Sequence, residues 1–218
     1  MKIFIPIKHN SQRVPKKNYR IFNGEPLYKH TLLKYTNCDV FVDTDSEEII
    51  KEISKDNRLK NVVPYMRHPD LRGDKVSVCN LIKDFIVRHD IGDVVAQIHV
   101  TSPFLNHSTV FMAASQIGPK YDSVVSCTKH NSRFWRNESY GSCPVNHNPM
   151  KLEQTQDLPT LYEENSAFYI FKSIDFIKSH NRIGVKPFFY AVKHPENLDI
   201  DTESDWELVK ALEEVYYK

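Results

Sequence analysis

Short apolar runs that alternate with helix-like segments constrain the fold of this chain more than any other feature of its sequence. The runs have the length of buried strands and cover residues 3–7, 40–43, 61–64, 94–100, 123–127, 167–171 and 188–192. The segments between them carry capping residues, first-turn carboxylates or apolar residues at helical spacing, and cover 26–35, 46–55, 77–89, 108–117, 174–180 and 203–217. This alternation predicts an α/β fold with a mostly parallel sheet.

The alternation is interrupted between residues 129 and 164. This region is rich in His, Asn, Ser, Pro and Arg, and it contains Phe134, Trp135 and Tyr140. A chain of 218 residues fits one domain, so we interpret 1–218 as a single domain and 129–164 as an irregular lobe or a dimerisation extension within it. The three aromatic side chains are either contacts of a homodimer or the buried centre of a lone lobe, and both interpretations stay open.

Charge and hydropathy disfavour two classes of partner. The formal net charge is only +1 and the sequence has no sustained basic face, so we expect no nucleic-acid partner. No run approaches the ~20 apolar residues of a membrane span, and the apolar start of the chain is too short for a signal peptide. None of the four cysteines forms a Cys-x-x-Cys pair, which indicates reduced thiols. We therefore expect a cytoplasmic protein without a membrane partner.

A basic loop follows the first apolar run, in the stretch IPIKHNSQRVPKKN (5–18). Lys8, Arg13 and Lys17 lie within one loop length, and Asn10 and Ser11 add neutral donors. In parallel sheets, ligands collect at the carboxyl ends of strands, where this loop is expected. A phosphate site is one interpretation and a solvated basic loop is the other, because no Gly-rich Walker sequence is present.

Two carboxylates occur two residues apart in ENLDIDTESDW (196–206). On an extended segment, Asp199 and Asp201 share one face, and paired carboxylates together with phosphate oxygens are a usual way to hold Mg²⁺. The alternative is that Asp201 or Thr202 caps the last helix, with Asp205 in its first turn.

Two further stretches carry weaker local signals. HVTSPF (99–104) places the hydroxyls of Thr101 and Ser102 at the end of an apolar run, where a plain turn is the simpler interpretation. RHPDLRGDKVS (67–77) places Arg67 ahead of a helix that Ser77 can cap, and on local grounds an ordinary capped loop is the simpler interpretation.

Taken together and in this order, the stretches resemble motifs of the acylneuraminate cytidylyltransferase family, which includes the CMP-sialic acid and CMP-Kdo synthetases. Residues 8–18 resemble R-x-x-S-K-R-x-P-x-K-N, VDTDSEEI (42–49) resembles S-T-D-x-x-x-I, and RHPDLRGD (67–74) resembles R-P-x-x-L-A-x-D. HVTSPFL (99–105) resembles Q-P-T-S-P-L, ENSAFYIF (164–171) resembles N-G-A-x-Y-I, and DIDTESDW (199–206) resembles D-I-D-T-x-x-D. The matches span nearly the whole chain.

The resemblance implies a Rossmann-like nucleotidyltransferase sheet with helices on both faces and a small dimerisation extension. It also implies a homodimeric, Mg²⁺-dependent enzyme that transfers CMP from CTP to a small-molecule acceptor, a nonulosonic-acid-type sugar, with release of pyrophosphate. The implied catalytic residues are Arg13, Lys17 and Asp201, and the implied metal ligands are Asp199 and Asp201. The implied nucleotide-binding residues are Lys8, Asn10, Ser11, Arg13, Lys17, Asn18, Arg67, Ser77, Thr101 and Ser102. The implied acceptor-binding residues are His99, Gln154, Tyr162 and Asn165.

Departures from the family pattern concentrate in the acceptor half. Lys8 and Gln12 stand where the family has Arg and Lys, His99 stands where it has Gln, and Ser166 stands where it has Gly. In EQTQDLPTLYEEN (153–165), Thr155, Glu163 and Glu164 occupy positions near which the sialic acid enzymes carry Arg. These departures leave two alternatives to sialic acid as the acceptor: a different nonulosonic acid, or a phosphate or phosphonate compound without the sugar carboxylate. A catalytically weak nucleotide-binding module is the remaining alternative.

Overall fold

The computed structural model describes residues 1–217, which contain eleven strands. In chain order, β1 to β11 are Lys2–Ile7, Ile21–Phe22, Glu25–Pro26, Val40–Thr44, Val62–Met66, Val94–Ile98, Ser123–His130, Trp135–Glu138, Gly141–Pro144, Leu161–Lys172 and Pro187–Ala191. Seven of them form one sheet in the order β11-β7-β10-β6-β1-β4-β5, while β2–β3 and β8–β9 form separate hairpins. All seven predicted strands are present, and neither hairpin was predicted.

The central sheet is parallel except at β10. Strand β1 pairs in parallel with β4 and β6, and β4 with β5. Strand β10 runs antiparallel to both β6 and β7, and β11 returns parallel to β7. The prediction of a mostly parallel sheet is confirmed. The carboxyl ends of β1, β4 and β6 therefore meet at one edge, and the segments that follow these strands are brought together there.

Residues 1–217 contain six α-helices, of which five lie between strands and the last, α6, follows β11. In chain order, α1 to α6 are Leu27–Leu32, Glu47–Lys55, Val78–Arg88, His107–Ala114, Ser173–Ser179 and Glu203–Tyr216. Local chemistry fixes their starts: the Ser46 hydroxyl accepts from Ile49 N (3.2 Å), and Thr202 and Asp205 form a reciprocal capping box. The predicted helix 26–35 is shorter than expected and ends in a 3-10 turn at Leu33–Tyr35.

Helices cover both faces of the sheet. On one face, Ile3 and Ile5 pack with side chains of α1, α2 and α4. On the other, Phe4 and Tyr169 pack with side chains of α3 and α5. Successive residues of β1 point to opposite faces, as the period of two requires, and both faces are apolar because both are covered.

A third, smaller core joins the beginning of the chain to α6. It consists of Val14, Phe22, Leu27, Phe104, Ile200 and Val209, all at most 4% exposed. Through it, the loop after β1 and the segment before α6 are held on one side of the sheet edge. This packing positions the candidate site.

The region 129–164 is more regular than its composition predicts. Strands β7 and β10 continue their pairing into it, with Leu161 opposite His130, and the β8–β9 hairpin follows. Trp135 and Tyr140 are 51% and 78% exposed, so neither forms the buried centre of a lone lobe. A dimer contact through this region stays a prediction.

Two sequence expectations about the whole chain can be compared with the structure. Within residues 1–217, no helix combines the length and apolarity needed to cross a membrane. Cys38, Cys79, Cys127 and Cys143 are all free thiols.

Candidate active site

A cavity of about 420 Å³ opens at the carboxyl ends of β1 and β6. It brings together ten residues that the sequence singled out from four separate stretches. These are Lys8, Ser11, Arg13, Lys17, Asn18, Arg67, His99, Thr101, Asp199 and Asp201. Four cationic side chains and two carboxylates therefore share one cavity, which a merely solvated basic loop does not explain.

Buried contacts hold the loop after β1 in place. Val14 is fully buried, and Asn18 donates to the carbonyl of Lys8 (2.7 Å), which closes the loop on itself. Lys17, 9% exposed, donates from Nζ to the carbonyl of Ile200 (2.5 Å). Burial lowers the pKa of Lys17, while Asp199 and Asp201 oppose that shift. The loop thus presents a desolvated ammonium rather than a freely hydrated one.

The segment before α6 is extended and has two faces. Ile200 is fully buried in the third core, and its N–H donates to the carbonyl of Thr101 (2.9 Å). Asp199 and Asp201, on either side of it, line the cavity as the predicted alternation requires. Thr202 caps α6 and Asp205 lies in its first turn, so the capping alternative is confirmed for Thr202. The Asp201 side chain takes no part in this cap, so the paired carboxylates are left for the cavity.

The two carboxylates have different surroundings. Burial raises the pKa of Asp199, against a hydrogen bond from Thr101, and its Oδ1 is buried without a hydrogen-bond partner. Asp201 is more exposed and accepts from Arg13 (2.7 Å). A buried, unpaired carboxylate oxygen is costly unless a ligand completes its coordination.

The donor set fits Mg²⁺ that arrives with a phosphate ligand. Hard carboxylate oxygens are the ligands that this ion prefers, and Mg²⁺ commonly uses one or two of them with substrate phosphates and water. Within residues 1–217, no group of three or more His, Cys, Asp or Glu side chains is arranged as a metal site. Asp199 and Asp201 would therefore hold the ion only together with ligand oxygens.

Arg67 forms the opposite wall and is held rigidly. It is 1% exposed and paired with the fully buried carboxylate of Asp43. Its guanidinium also donates to the carbonyls of Asp43 (3.2 Å) and Ile7 (3.4 Å). The pair fixes Arg67 between the ends of β1 and β4, and breaking it would leave a buried charge unpaired.

Asp74 is a contact of the loop that the sequence analysis missed. Its carboxylate accepts from Lys8 Nζ (3.2 Å) and from Gln12 Nε2 (2.5 Å). Asp74 is the last residue of the RHPDLRGD stretch, so the match to that motif was the available signal. It holds two side chains of the basic loop in the absence of another anion.

Strands β6 and β10 supply the remaining wall. His99 and Ser166 line the cavity, and His99 N donates to the carbonyl of Ala167 (3.2 Å). Ser166 has φ +58°, in the left-handed region that favours glycine. This explains why Gly is the expected residue there, and it places the Ser166 side chain at the cavity at the expense of backbone strain.

Three residues predicted to bind nucleotide do not line this cavity. Asn10 is exposed, and Ser77 caps α3 by accepting from Cys79 N (3.2 Å). Ser102 is 1% exposed, and its hydroxyl has no hydrogen-bond partner. The cap on α3 corresponds to the simpler interpretation given above.

Three predicted acceptor-binding residues also lie outside the cavity. Tyr162 is 49% exposed and stacks on Phe189 at 5.6 Å between ring centroids. Gln154 accepts from Gln156 (2.5 Å), and Asn165 supports β10 by accepting from Ala167 N (3.3 Å). Their binding roles stay predictions.

An apolar strip of the cavity was not predicted as part of the site. Val76, Val78 and Leu81 line it, beside Pro6 and Val100. Val78 and Leu81 belong to α3, whose apolar residues at helical spacing predict a helix but not a binding surface. A planar base or a sugar ring can pack against such a strip, while the charged groups hold phosphates.

The sequence of the chain matches a family profile and several characterised proteins. The family described as cytidylyltransferase matches residues 3–218. A CMP-N,N'-diacetyllegionaminic acid synthase of Legionella pneumophila is 30% identical, covering 97% of this chain and 95% of that protein. An N-acylneuraminate cytidylyltransferase A of Danio rerio is 31% identical over 90% of this chain. That alignment covers 46% of the zebrafish protein, so the chain spans about half the length of such relatives.

The fold is also shared with solved structures. A CMP:2-keto-3-deoxy-manno-octonic acid synthetase complexed with CTP superposes with a TM-score of 0.63 over 96% of both chains, at 16% identity. That likeness agrees with the Rossmann-like sheet implied by the motifs. The profile match over nearly all residues and the identity to the Legionella protein carry the assignment: this chain belongs to the cytidylyltransferase family, in the acylneuraminate group that its motifs resemble.

Proposed function

We propose that this protein transfers CMP from CTP to the hydroxyl of a nonulosonic-acid-type sugar. One observation carries the proposal. Cations from the loop after β1 and the carboxylates of Asp199 and Asp201 converge on one cavity, although Arg13 and Asp201, for example, are 188 positions apart along the chain. A triphosphate with its divalent cation is a ligand that needs both signs of charge in one place.

In the proposed reaction, the acceptor oxygen attacks the α-phosphorus of CTP in line with the leaving group. A bond forms between phosphorus and the acceptor oxygen, and the bond from phosphorus to the bridging oxygen of pyrophosphate breaks. The hydroxyl proton is released to solvent. Negative charge grows on the leaving pyrophosphate, so fixed cations stabilise the transition state more than the ground state.

The chain's own residues take the following parts. Lys17, already desolvated and held on the Ile200 carbonyl, binds phosphate oxygens without further reorganisation. Arg13 and Lys8 exchange their carboxylate partners, Asp201 and Asp74, for phosphate. Arg67 and the apolar strip bind the nucleoside.

Mg²⁺ is the proposed cofactor. Asp199 and Asp201 would hold it, because the unpaired Oδ1 of Asp199 and the neighbouring carboxylate form a hard-oxygen pair at the cavity. When bound, the ion would neutralise charge on the phosphates and help to orient them. Arg13 would then be released from Asp201 toward the substrate.

We further propose a cytoplasmic homodimer that uses the region 129–164 as its arm. The exposed rings of Trp135 and Tyr140 support this, because aromatic side chains are favoured at interfaces. Sedimentation of the purified chain tests the assembly.

Pyrophosphate release tests the function. The reaction contains CTP, Mg²⁺ and one acceptor from a panel of N-acetylneuraminate, N,N'-diacetyllegionaminate, pseudaminate, 2-keto-3-deoxy-manno-octonate and phosphorylated small molecules. We expect release with a sugar acid and with CTP, and much less with UTP or ATP. Release only with a phosphorylated compound would contradict the acidic acceptor. Tight CTP binding without release from any acceptor would favour the nucleotide-binding module.

A further inference from the structure

Arg182, in the loop between α5 and β11, differs from Arg13 and Arg67, the two arginines that line the cavity. Arg13 and Arg67 are paired with carboxylates. Arg182 instead donates to the side-chain carbonyl oxygen of Gln97 (2.6 Å), and its guanidinium lies 3.5 Å from the ring centroid of Tyr169. No carboxylate of residues 1–217 forms an ion pair with it. A half-buried guanidinium in this setting retains its attraction for an anion.

Gln97 beside it has an unused donor. Arg182 can only donate, so the atom of Gln97 that faces it must be the oxygen, and the amide nitrogen must point elsewhere. Gln97 is fully buried, and its Nε2 has no hydrogen-bond partner. A buried N–H₂ group that no protein acceptor reaches is unusual in a folded protein, and it can donate to a ligand.

His99 continues this polar surface to the cavity wall. It lies two residues beyond Gln97 and directly after the end of β6, and its side chain lines the cavity. Its Nε2 is buried without a hydrogen-bond partner, and burial together with the charge of Arg182 lowers the pKa of His99 to about 3. His99 is therefore neutral at physiological pH and can offer an N–H to a ligand. The charge for binding an anion comes from Arg182.

The acidic side chains nearby are already engaged. Glu164 accepts from the Tyr169 hydroxyl (2.9 Å), and Glu163 contacts His130 at 2.8 Å. These residues and Thr155 stand near positions where sialic acid enzymes carry Arg, so the usual segment offers no guanidinium. Arg182 offers one from a different loop.

We propose that Arg182, with the amide of Gln97 and the ring of His99, forms the subsite for the carboxylate of the acceptor. The inference rests on the proposed function, because it names the chemistry by which the same site recognises its acceptor. The nucleotide lies on the side of the basic loop and the paired aspartates. The acceptor enters between His99 and Ser166, where its carboxylate meets the three donors. The protein then prefers a sugar acid to a neutral or phosphorylated sugar.

The test uses the sugar acid of the panel above that gives the most pyrophosphate release, or N,N'-diacetyllegionaminate if none does. It compares this acid with its methyl ester, which keeps the ring and removes the charge. Binding is measured by calorimetry with CTP and EDTA present, and pyrophosphate release is measured with CTP and Mg²⁺. The proteins are the unmodified chain, Arg182→Met and Arg182→Lys. Arg88→Met is the matched control, because Arg88 also lies over a tyrosine ring (Tyr65, 5.0 Å), away from the cavity.

We expect the unmodified chain to prefer the acid, and Arg182→Met to lose about 10- to 100-fold in affinity for the acid alone. The affinity of Arg182→Met for the ester and for CTP should be unchanged. Arg182→Lys should recover part of the lost affinity, because it restores the positive charge, and this recovery distinguishes an effect of charge from an effect of packing. Arg88→Met should retain the preference. If Arg182→Met destabilises the chain more than Arg88→Met does, the subsite is judged from Arg182→Lys alone. A raised KM of this variant for the acid supports the subsite, and an unchanged KM refutes it.

The subsite and the proposed function are refuted by different results. If pyrophosphate is released and Arg182→Met keeps the preference for the acid, the subsite is refuted while the function stands. If the acid binds through Arg182 but no pyrophosphate is released, the function is refuted while the subsite stands. If the acid neither binds nor reacts, both are refuted.

Discussion

Replacing Lys17 by Met should remove nucleotide affinity while leaving the fold nearly as stable. Lys17 lies at the point where the basic loop and the acidic segment meet, with its Nζ 2.5 Å from the Ile200 carbonyl. Met has a similar length and no charge, so the substitution removes the ammonium and little packing.

The magnitudes differ for binding and for stability. A charge-assisted hydrogen bond to phosphate is worth about 1.5–3 kcal/mol, so the dissociation constant for CTP should rise roughly 10- to 150-fold. For folding, the substitution has two opposite effects. It removes the hydrogen bond to Ile200, which destabilises the chain, and it removes a buried charge, which stabilises it. The cost of burying that charge is also what lowers the pKa of Lys17. These terms offset each other, so the free energy of unfolding should change by about 1 kcal/mol or less.

Calorimetric titration with CTP and urea denaturation measure the two quantities on the same samples. Lys16→Met is the matched control: it removes the same charge from the same loop, but Lys16 is exposed and does not line the cavity. It should change CTP affinity by less than about threefold at physiological salt. Equal effects of the two substitutions would refute the argument, because general attraction by the loop would then account for binding.

Three further predictions follow from the cavity and its supports. Asp201→Asn should abolish Mg²⁺-dependent pyrophosphate release. It should shift the midpoint of urea denaturation little, because the Asp201 side chain is 44% exposed. Normal turnover of this variant would exclude Asp201 as a metal ligand. Asp74→Asn releases Lys8 from an exposed ion pair and should tighten CTP binding by up to about fivefold, and weaker binding would contradict the idea that Asp74 competes with phosphate. Burial lowers the pKa of His30 to about 4, so the unfolded state binds more protons between pH 6.5 and 4. Stability should therefore fall by on the order of 3 kcal/mol as pH drops through that window, and His30→Gln should flatten the profile in urea denaturation.

The strands of the central sheet could be predicted because each buried strand is a local run of apolar residues. All seven strands of the central sheet had apolar runs, and both parallel and antiparallel members were apolar because helices cover both faces. The main constellation of the site was also predictable. The principle that ligands collect at strand ends placed only the basic loop with Lys17 at the sheet edge. The resemblance to family motifs joined it to Asp199 and Asp201, which the structure brings to the same cavity.

The rest depended on contacts that no local pattern encodes. The β2–β3 hairpin has two-residue strands, too short for any periodicity. Asp74 and Arg182 act through partners 66 and 85 residues away. Only the motif match pointed to Asp74, and Arg182 has no signal beyond being charged in a loop. Ser77 was attributed to nucleotide binding from a motif, whereas its local position before a helix correctly indicated the cap.

The small core around Ile200 has a consequence for the order in which the protein matures. It joins Val14 to Val209, and the contacts from Lys17 to Ile200 and from Arg20 to Glu203 each span 183 residues. A nascent chain emerges from the ribosome with its basic loop complete but without the acidic wall opposite. Competence to hold a nucleotide and its ion thus arrives only when α6 has emerged and docked. Until then, the exposed cations of the loop are available to the polyanions that surround every ribosome.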